Sequence, residues 1–165
     1  MMTEPTFTVR VIRQHQGMKL THGKANNNPE VKRVVCLASK EIRENGWDGG
    51  MGNLNLDFRH KFFAIQDGEK IVSVLVYMPH VGDIWVNIAW TDPAYRQRGY
   101  YMLLWYELVR KIKRTKYQTI WGAFHAKNTV SRAMQEKQGR AVSSKMSLGG
   151  FFITYYDLKP LAKNS

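Results

Sequence analysis

Asp92-Pro93-Ala94-Tyr95-Arg96-Gln97-Arg98-Gly99-Tyr100-Tyr101 is the stretch on which the fold turns. Ahead of it lies an apolar run, Ile84–Trp90, that reads as a strand. Behind it lies an amphipathic pattern from about Tyr100 to Lys116, with Leu104, Leu108 and Ile112 on one face, that reads as a helix. A strand feeding a helix through a basic, glycine-containing turn is an anion cradle. The first helical N–H groups have no backbone partner, and the helix dipole adds partial positive charge there. Arg96 and Arg98 contribute full charges, so the turn suits a phosphate-bearing ligand.

Working outward, Phe7–Arg13 is β-branched and alternating, which predicts a first strand; residues 14–28 are polar and predict a loop. Pro29 stands at the start of a helix over 31–45, with Val34, Val35, Leu37, Ala38 and Ile42 inward and Cys36 among them, ending near Gly46. Lys61–Gln66 and Lys70–Met78 flank the hairpin signal Asp67-Gly68. After the cradle and its helix come a strand over Thr119–His125, a short helix over Thr129–Gln138 stopped by Gly139, and strands over Ala141–Ser147 and Phe151–Leu158. The order β-α-β-β-β-α-β-α-β-β predicts an α/β (α+β) domain over residues 1–165: a mixed, mostly antiparallel sheet of about seven strands flanked by helices.

Charge is unevenly placed. Residues 1–90 carry 11 basic and 9 acidic side chains, whereas residues 91–165 carry 14 and 4. A basic half implies an anionic partner, whether a nucleotide cofactor, a nucleic acid or an acidic protein. No apolar run approaches the roughly 20 residues of a membrane span, and the N-terminus lacks a secretory pattern, so the expected setting is the cytoplasm. The lone Cys36 excludes an internal disulfide and reads as core filler. The five histidines are scattered without metal-ligand spacing, and no nucleophile elbow is present.

The element order and the cradle together resemble the Gcn5-related N-acetyltransferases. That family's signature, Gln/Arg-x-x-Gly-x-Gly/Ala, is read here as Arg96-Gln97-Arg98-Gly99-Tyr100-Tyr101, led by Asp92-Pro93-Ala94-Tyr95. A second family segment, an Asn-containing turn and a short helix ending in Glu-Lys-x-Gly-Phe, is matched by Asn128 and by Ala133 to Arg140. The resemblance covers about residues 7–158. It implies that the amides of Arg96, Gln97, Arg98, Gly99, Tyr100 and Tyr101 hold the pyrophosphate of acetyl-CoA. It also implies that pantetheine lies along Ala89, Trp90 and Thr91, with Asn128 beside it. Three positions depart from the pattern: Tyr101 replaces a Gly or Ala, Gln135 stands where a Tyr general acid is usual, and Arg140 replaces a Phe.

Acetyl transfer to an amine needs a neutral nucleophile, a donor for the developing oxyanion and a proton or contact for the leaving thiolate. His125, at the end of the fifth strand, is a base candidate or a packing histidine. Asp83 is a relay through water or a solvated turn carboxylate. Asn87 is a holder of a substrate amide or a polar strand residue, with Trp85 and Ala89 on its face by alternation. Tyr155 or Tyr156 is a substitute acid or a core aromatic. The acceptor implied is an amine on a protein, a small molecule or a nucleic acid, and homodimers are common in such folds. The other class of function is a catalytically weak module of the same fold that binds nucleic acid or a partner protein through its basic half, and Gln135 and Tyr101 favour it.

Overall fold

The computed structural model describes residues 17–50, 54–147 and 149–158. Seven strands form one sheet: β1 (Met18–Lys24), β2 (Lys61–Asp67), β3 (Lys70–His80), β4 (Asp83–Thr91), β5 (Thr119–His125), β6 (Ala141–Met146) and β7 (Phe151–Asp157). Three helices accompany it: α1 (Pro29–Glu44), α2 (Tyr100–Ile112) and α3 (Thr129–Lys137). The strand order is β1-β2-β3-β4-β5-β7-β6, antiparallel throughout except between β4 and β5. This is the mixed, mostly antiparallel sheet expected from the sequence.

The strand predicted over Phe7–Arg13 lies outside the described residues. The segment read as a polar loop, 14–28, contains β1. Its residues are half-buried or exposed and none is fully buried, Met18 and Leu20 pack on the sheet, and all seven pair with β2. Edge position explains the polarity that hides it: only one face and one edge of β1 need be apolar or paired.

The helix ends follow local chemistry. Asn28 caps α1 by accepting from the Val31 N–H at 3.1 Å, with Pro29 as its first residue. Gly139 (φ 81°) stops α3 in the left-handed region that glycine adopts without Cβ strain. α2 ends at Ile112, four residues before the sequence reading, and the Thr115 hydroxyl donates to the Ile112 carbonyl that the helix leaves open. Cys36 is exposed and Leu37 is 40% exposed, because the inward stripe of α1 runs through Val31, Val34, Val35 and Ala38 instead.

The sheet divides two cores. On one face α1 covers Phe62, Ala64, Ile71, Val74, Val76 and Ile88. On the other, α2 covers a larger set built around Phe63, Leu75, Tyr77, Ile84, Val86, Leu104 and Trp105. Ile84 and Val86 belong to one core and Ile88 to the other, although all three stand at even positions of one strand. A β-bulge explains this. Val76 is opposite Ile88 and Tyr77 is opposite Val86, so β4 holds one extra residue, Asn87. Strict alternation would put Trp85 and Ala89 on one face; the bulge puts them on opposite faces.

Candidate functional site

β4 and β5 pair in parallel at only two positions, Ile84 with Ile120 and Trp85 with Trp121. Beyond Trp85 the bulge turns β4 away, and β5 instead pairs with β7 along its whole length. A sheet with side chains on both faces is thereby opened down its middle. The opening is bounded by Asn87–Thr91 on one side and Gly122–His125 on the other. The edge of Ala89, Trp90 and Thr91 that faces it has no strand partner among the described residues.

The cradle follows directly. Asp92 accepts from the Ala94 N–H at 2.9 Å and starts a short 3-10 turn, Pro93–Tyr95. The chain then enters the left-handed region twice in three residues, at Gln97 (φ 62°) and Gly99 (φ 82°), which turns successive N–H groups toward one side. Gly99 is the N-cap of α2 and supplies no side-chain bond to the first helical amides. A non-glycine residue at φ 62° costs about 1–2 kcal/mol, so the shape of this turn is held by its surroundings.

The two arginines of the turn differ in freedom. Arg96 donates from Nη2 to both Glu41 oxygens at 2.7 Å and from Nε to the Thr91 carbonyl at 2.9 Å. Glu41 also accepts from Trp90 Nε1 at 2.6 Å, so α1 is tied to both β4 and the cradle. Arg98 is exposed; it reaches the Ala94 carbonyl at 3.2 Å and lies over the Tyr95 ring at 5.0 Å. Tyr100 is buried in the larger core.

Tyr101 and Gln135, two of the three departures from the family pattern, are joined through the third, Arg140. Arg140 donates to Gln135 Oε1 at 3.0 Å and to the Tyr101 hydroxyl at 3.3 Å, and its guanidinium lies 3.9 Å from the Trp105 ring centroid. Gln135 Oε1 also accepts from Thr154 Oγ1 at 2.7 Å, and its amide donates to Ser131 and to the Ala123 carbonyl. Arg140 is 5% exposed and has no carboxylate partner among the described residues. Burial pulls its guanidinium below its ordinary value, while the Tyr101 hydroxyl acts in the opposite sense. The cluster is fitted against Gly122: a Cβ there would lie 2.9 Å from Arg140 Nη1 and 3.2 Å from Thr154 Oγ1.

The remaining candidates are dispersed. Asp83 sits at the closed end of the β4–β5 pair, where its carboxylate accepts from the Thr119 N–H at 3.1 Å and Trp121 Nε1 at 3.0 Å. His125 sits at the open end of β5, six residues beyond Thr119, or about 20 Å along the strand. Its Nδ1 accepts from the Lys127 N–H at 3.2 Å, the ring meets Phe151 edge-on, and Nε2 faces Gly150. Asn87, at the bulge, has a buried side-chain oxygen without a hydrogen-bond partner. Asn128 caps α3 by accepting from the Ser131 N–H at 3.0 Å. Tyr156 packs edge-on against Trp105, and Tyr155 faces Trp121 on the opposite side of the sheet. No group of metal-ligating side chains gathers among the described residues.

Two residues escape the sequence reading. Glu41 gives no signal, since its partners lie 49 and 55 residues away. Gly122 does give one: a glycine inside an apolar strand marks a close approach by another group.

The fold as a whole has counterparts among solved structures. The ribosomal-protein-S18-alanine N-acetyltransferase of Escherichia coli superposes with a TM-score of 0.65 over 90% of this chain and 98% of its own, at 14% identity. The chain has the fold of the Gcn5-related N-acetyltransferases. An N-acetyltransferase of Staphylococcus aureus matches the fold with a TM-score of 0.68 over 87% of this chain and 100% of its own, at 14% identity. The PaiA N-acetyltransferase of Thermoplasma acidophilum, solved in complex with coenzyme A, gives 0.66 over 86% and 99%, at 11% identity. No protein-family model and no curated protein sequence matches the chain. The likeness is therefore one of backbone geometry, on a sequence that is 11–14% identical to these three structures. No helix among the described residues is long and apolar enough to cross a membrane.

Proposed function

We propose that residues 1–165 form a single acyltransferase-like domain that transfers an acetyl group from acetyl-CoA to an amine, in the cytoplasm. The observation that carries this reading is the separation of β4 from β5 directly ahead of a glycine-capped helix. The backbone fits the cofactor. The unpaired edge of Ala89, Trp90 and Thr91 has the donors and acceptors of a strand awaiting a neighbour, which suits the amides of pantetheine. The left-handed residues Gln97 and Gly99 and the uncapped start of α2 suit a pyrophosphate. Arg98, exposed beside them, adds charge, while Arg96 must first release Glu41.

Bound acetyl-CoA would supply an activated thioester. The chain's contribution is to hold that group in the opening between β4 and β5 and to exclude water from it, and positioning of this kind carries much of the rate in acyl transfer. Asn87, with its buried free oxygen at the bulge, accepts a hydrogen bond from an N–H of the acceptor amine. His125, with Nδ1 accepting from the Lys127 N–H, carries its proton on Nε2 and presents it as a donor toward the Gly150 turn; it serves as a base at Nε2 only once the Lys127 bond is released and the proton resides on Nδ1. Asn128 serves the cofactor arm by fixing the start of α3. The acceptor is an amine on a protein, a small molecule or a nucleic acid.

Thermal melting with and without acetyl-CoA tests the reading. At a hundredfold excess over Kd, stabilisation of about 2.7 kcal/mol raises Tm by about 5–10 °C. The Gly99→Val variant, which crowds the cradle, abolishes that rise. A wild-type Tm unmoved by millimolar acetyl-CoA sinks the proposal. A second reading, a catalytically weak binding module, is favoured by one observation: the side chains of Tyr101 and Gln135 are spent on Arg140. A cofactor-dependent shift without release of the CoA thiol from acetyl-CoA in the presence of any amine tested would support it.

A further inference from the structure

On the face covered by α2, the outer corner of the sheet at β1 is open. A cavity of about 570 Å³ lies there, between the strands and the second half of α2. Its floor is Leu20, His22 and Phe63; its wall is Glu107, Arg110 and Lys111 on α2, with Arg114 in the turn that follows the helix. Residues at those spacings share one helix face. His22 and Phe63 are directly opposite across β1 and β2, with rings 5.9 Å apart. The Lys111 ammonium lies 5.5 Å from the Phe63 ring centroid.

The charge around this cavity is one-sided. Two residues along each strand from His22 and Phe63, on the same face, Lys24 is directly opposite Lys61. Like charges in that position repel. Burial, and then the charge of Lys61, pull the Lys111 ammonium below its ordinary value. The lining holds one carboxylate, Glu107, and it is bonded to Arg110. Lys24, Lys61, Lys111 and Arg114 are left without a carboxylate partner among the described residues. Residues 1–16 and 159–165 carry Glu4 against Arg10, Arg13, Lys159 and Lys163. A partner with closely spaced negative charge suits this corner.

We propose that this corner binds the phosphodiester backbone of a single nucleic-acid strand and stacks an unpaired base on the exposed ring of His22. Phosphates match the guanidinium and ammonium groups that ring the cavity, and a concave pocket of this size admits a splayed base that a duplex would withhold. The site lies apart from the β4–β5 opening and does not depend on the acetyltransferase reading.

Fluorescence polarisation with labelled twelve-nucleotide oligo-U and oligo-dT, without acetyl-CoA, tests it across about 50–300 mM salt. Three or four neutralised phosphates give a slope of log Kobs against log salt of about −2 to −3. Reversing two exposed charges, Lys111→Glu with Arg114→Glu, removes about 1.4 from that slope and weakens binding at least tenfold at 0.1 M salt. A Lys24→Glu variant provides the same test should the double variant fold poorly. Reversal of Lys32 and Lys40 on α1 leaves the slope unchanged. The proposal falls if neither oligonucleotide binds at 50 mM salt. It falls equally if the cavity variants bind like wild type, or if polyglutamate of equal charge competes as well as unlabelled oligonucleotide.

Discussion

Replacing Gln135 by Leu strands two buried donors at once. Arg140 Nη1 loses its acceptor at 3.0 Å and Thr154 Oγ1 loses its acceptor at 2.7 Å. A buried hydroxyl without a partner costs about 1–2 kcal/mol and a buried charged donor about 2–3, so Gln135→Leu is expected to destabilise by about 3–5 kcal/mol. Arg140→Met behaves differently. It removes a buried cation that no carboxylate compensates and fills the space over Trp105 with an apolar chain of similar length. Gln135 Oε1 keeps Thr154, and the half-buried Tyr101 retains access to water. The cost should be within about 1.5 kcal/mol. Combined, the two substitutions leave only Thr154 in deficit and should cost about 2 kcal/mol, a coupling of about 3 kcal/mol in a double-mutant cycle. Urea titration measures each corner; in thermal melts Gln135→Leu alone should fall by about 8–16 °C. Additive behaviour, with the double variant as unstable as the sum of the singles, would refute the account of Arg140 as a cation held by Gln135.

Three further outcomes follow from single contacts. Burial pushes the Tyr77 hydroxyl up to about 12, and its oxygen has no hydrogen-bond partner. Because the unfolded phenol ionises near 10, stability should fall as pH rises from about 10 through about 12; Tyr77→Phe should remove that loss and raise Tm by about 2–6 °C at neutral pH. Gly122→Ala places a Cβ 2.9 Å from Arg140 Nη1 and should cost about 1–3 kcal/mol by denaturant unfolding, and less in the Arg140→Met background. Hydrogen bonds from Arg59 hold the Asp57 carboxyl well below the usual carboxylate range, and Arg33 lowers Glu30. Their contribution is complete above about pH 5.5 and is lost as pH falls through the ordinary carboxylate range toward the folded values, so the acid limb of Tm against pH should flatten in Asp57→Asn with Glu30→Gln.

The parts of the fold that are legible in the sequence are those in which local chemistry and tertiary packing agree. Asn28-Pro29, Gly99 and Gly139 mark helix ends because capping is decided within a few residues. The runs of β2 and β3 are visible because both of their faces are buried, and those of β4 and β5 because buried and half-buried residues alternate along them. β1 is hidden because an edge strand shows half of that pattern. The fate of the site residues is less visible, since it depends on distant partners. Arg96 reads as a free phosphate ligand until Glu41 is brought beside it, and Asp83 reads as a solvated turn until Trp121 arrives. Tyr101, Gln135 and Arg140 look like three separate losses along the chain and form one connected cluster in space.

The extra residue in β4 separates two duties of a single strand. Before Asn87 the strand serves the core under α2, and after it the strand serves the core under α1. Deleting Asn87 would bring Val86 and Ile88 into plain alternation on the faces they already occupy, and would remove the irregularity at which β4 parts from β5. The opening in the sheet is thus written in the length of the strand, not in the type of any residue that lines it. Substitutions can tune what enters there, but only a change in residue count can erase the entrance.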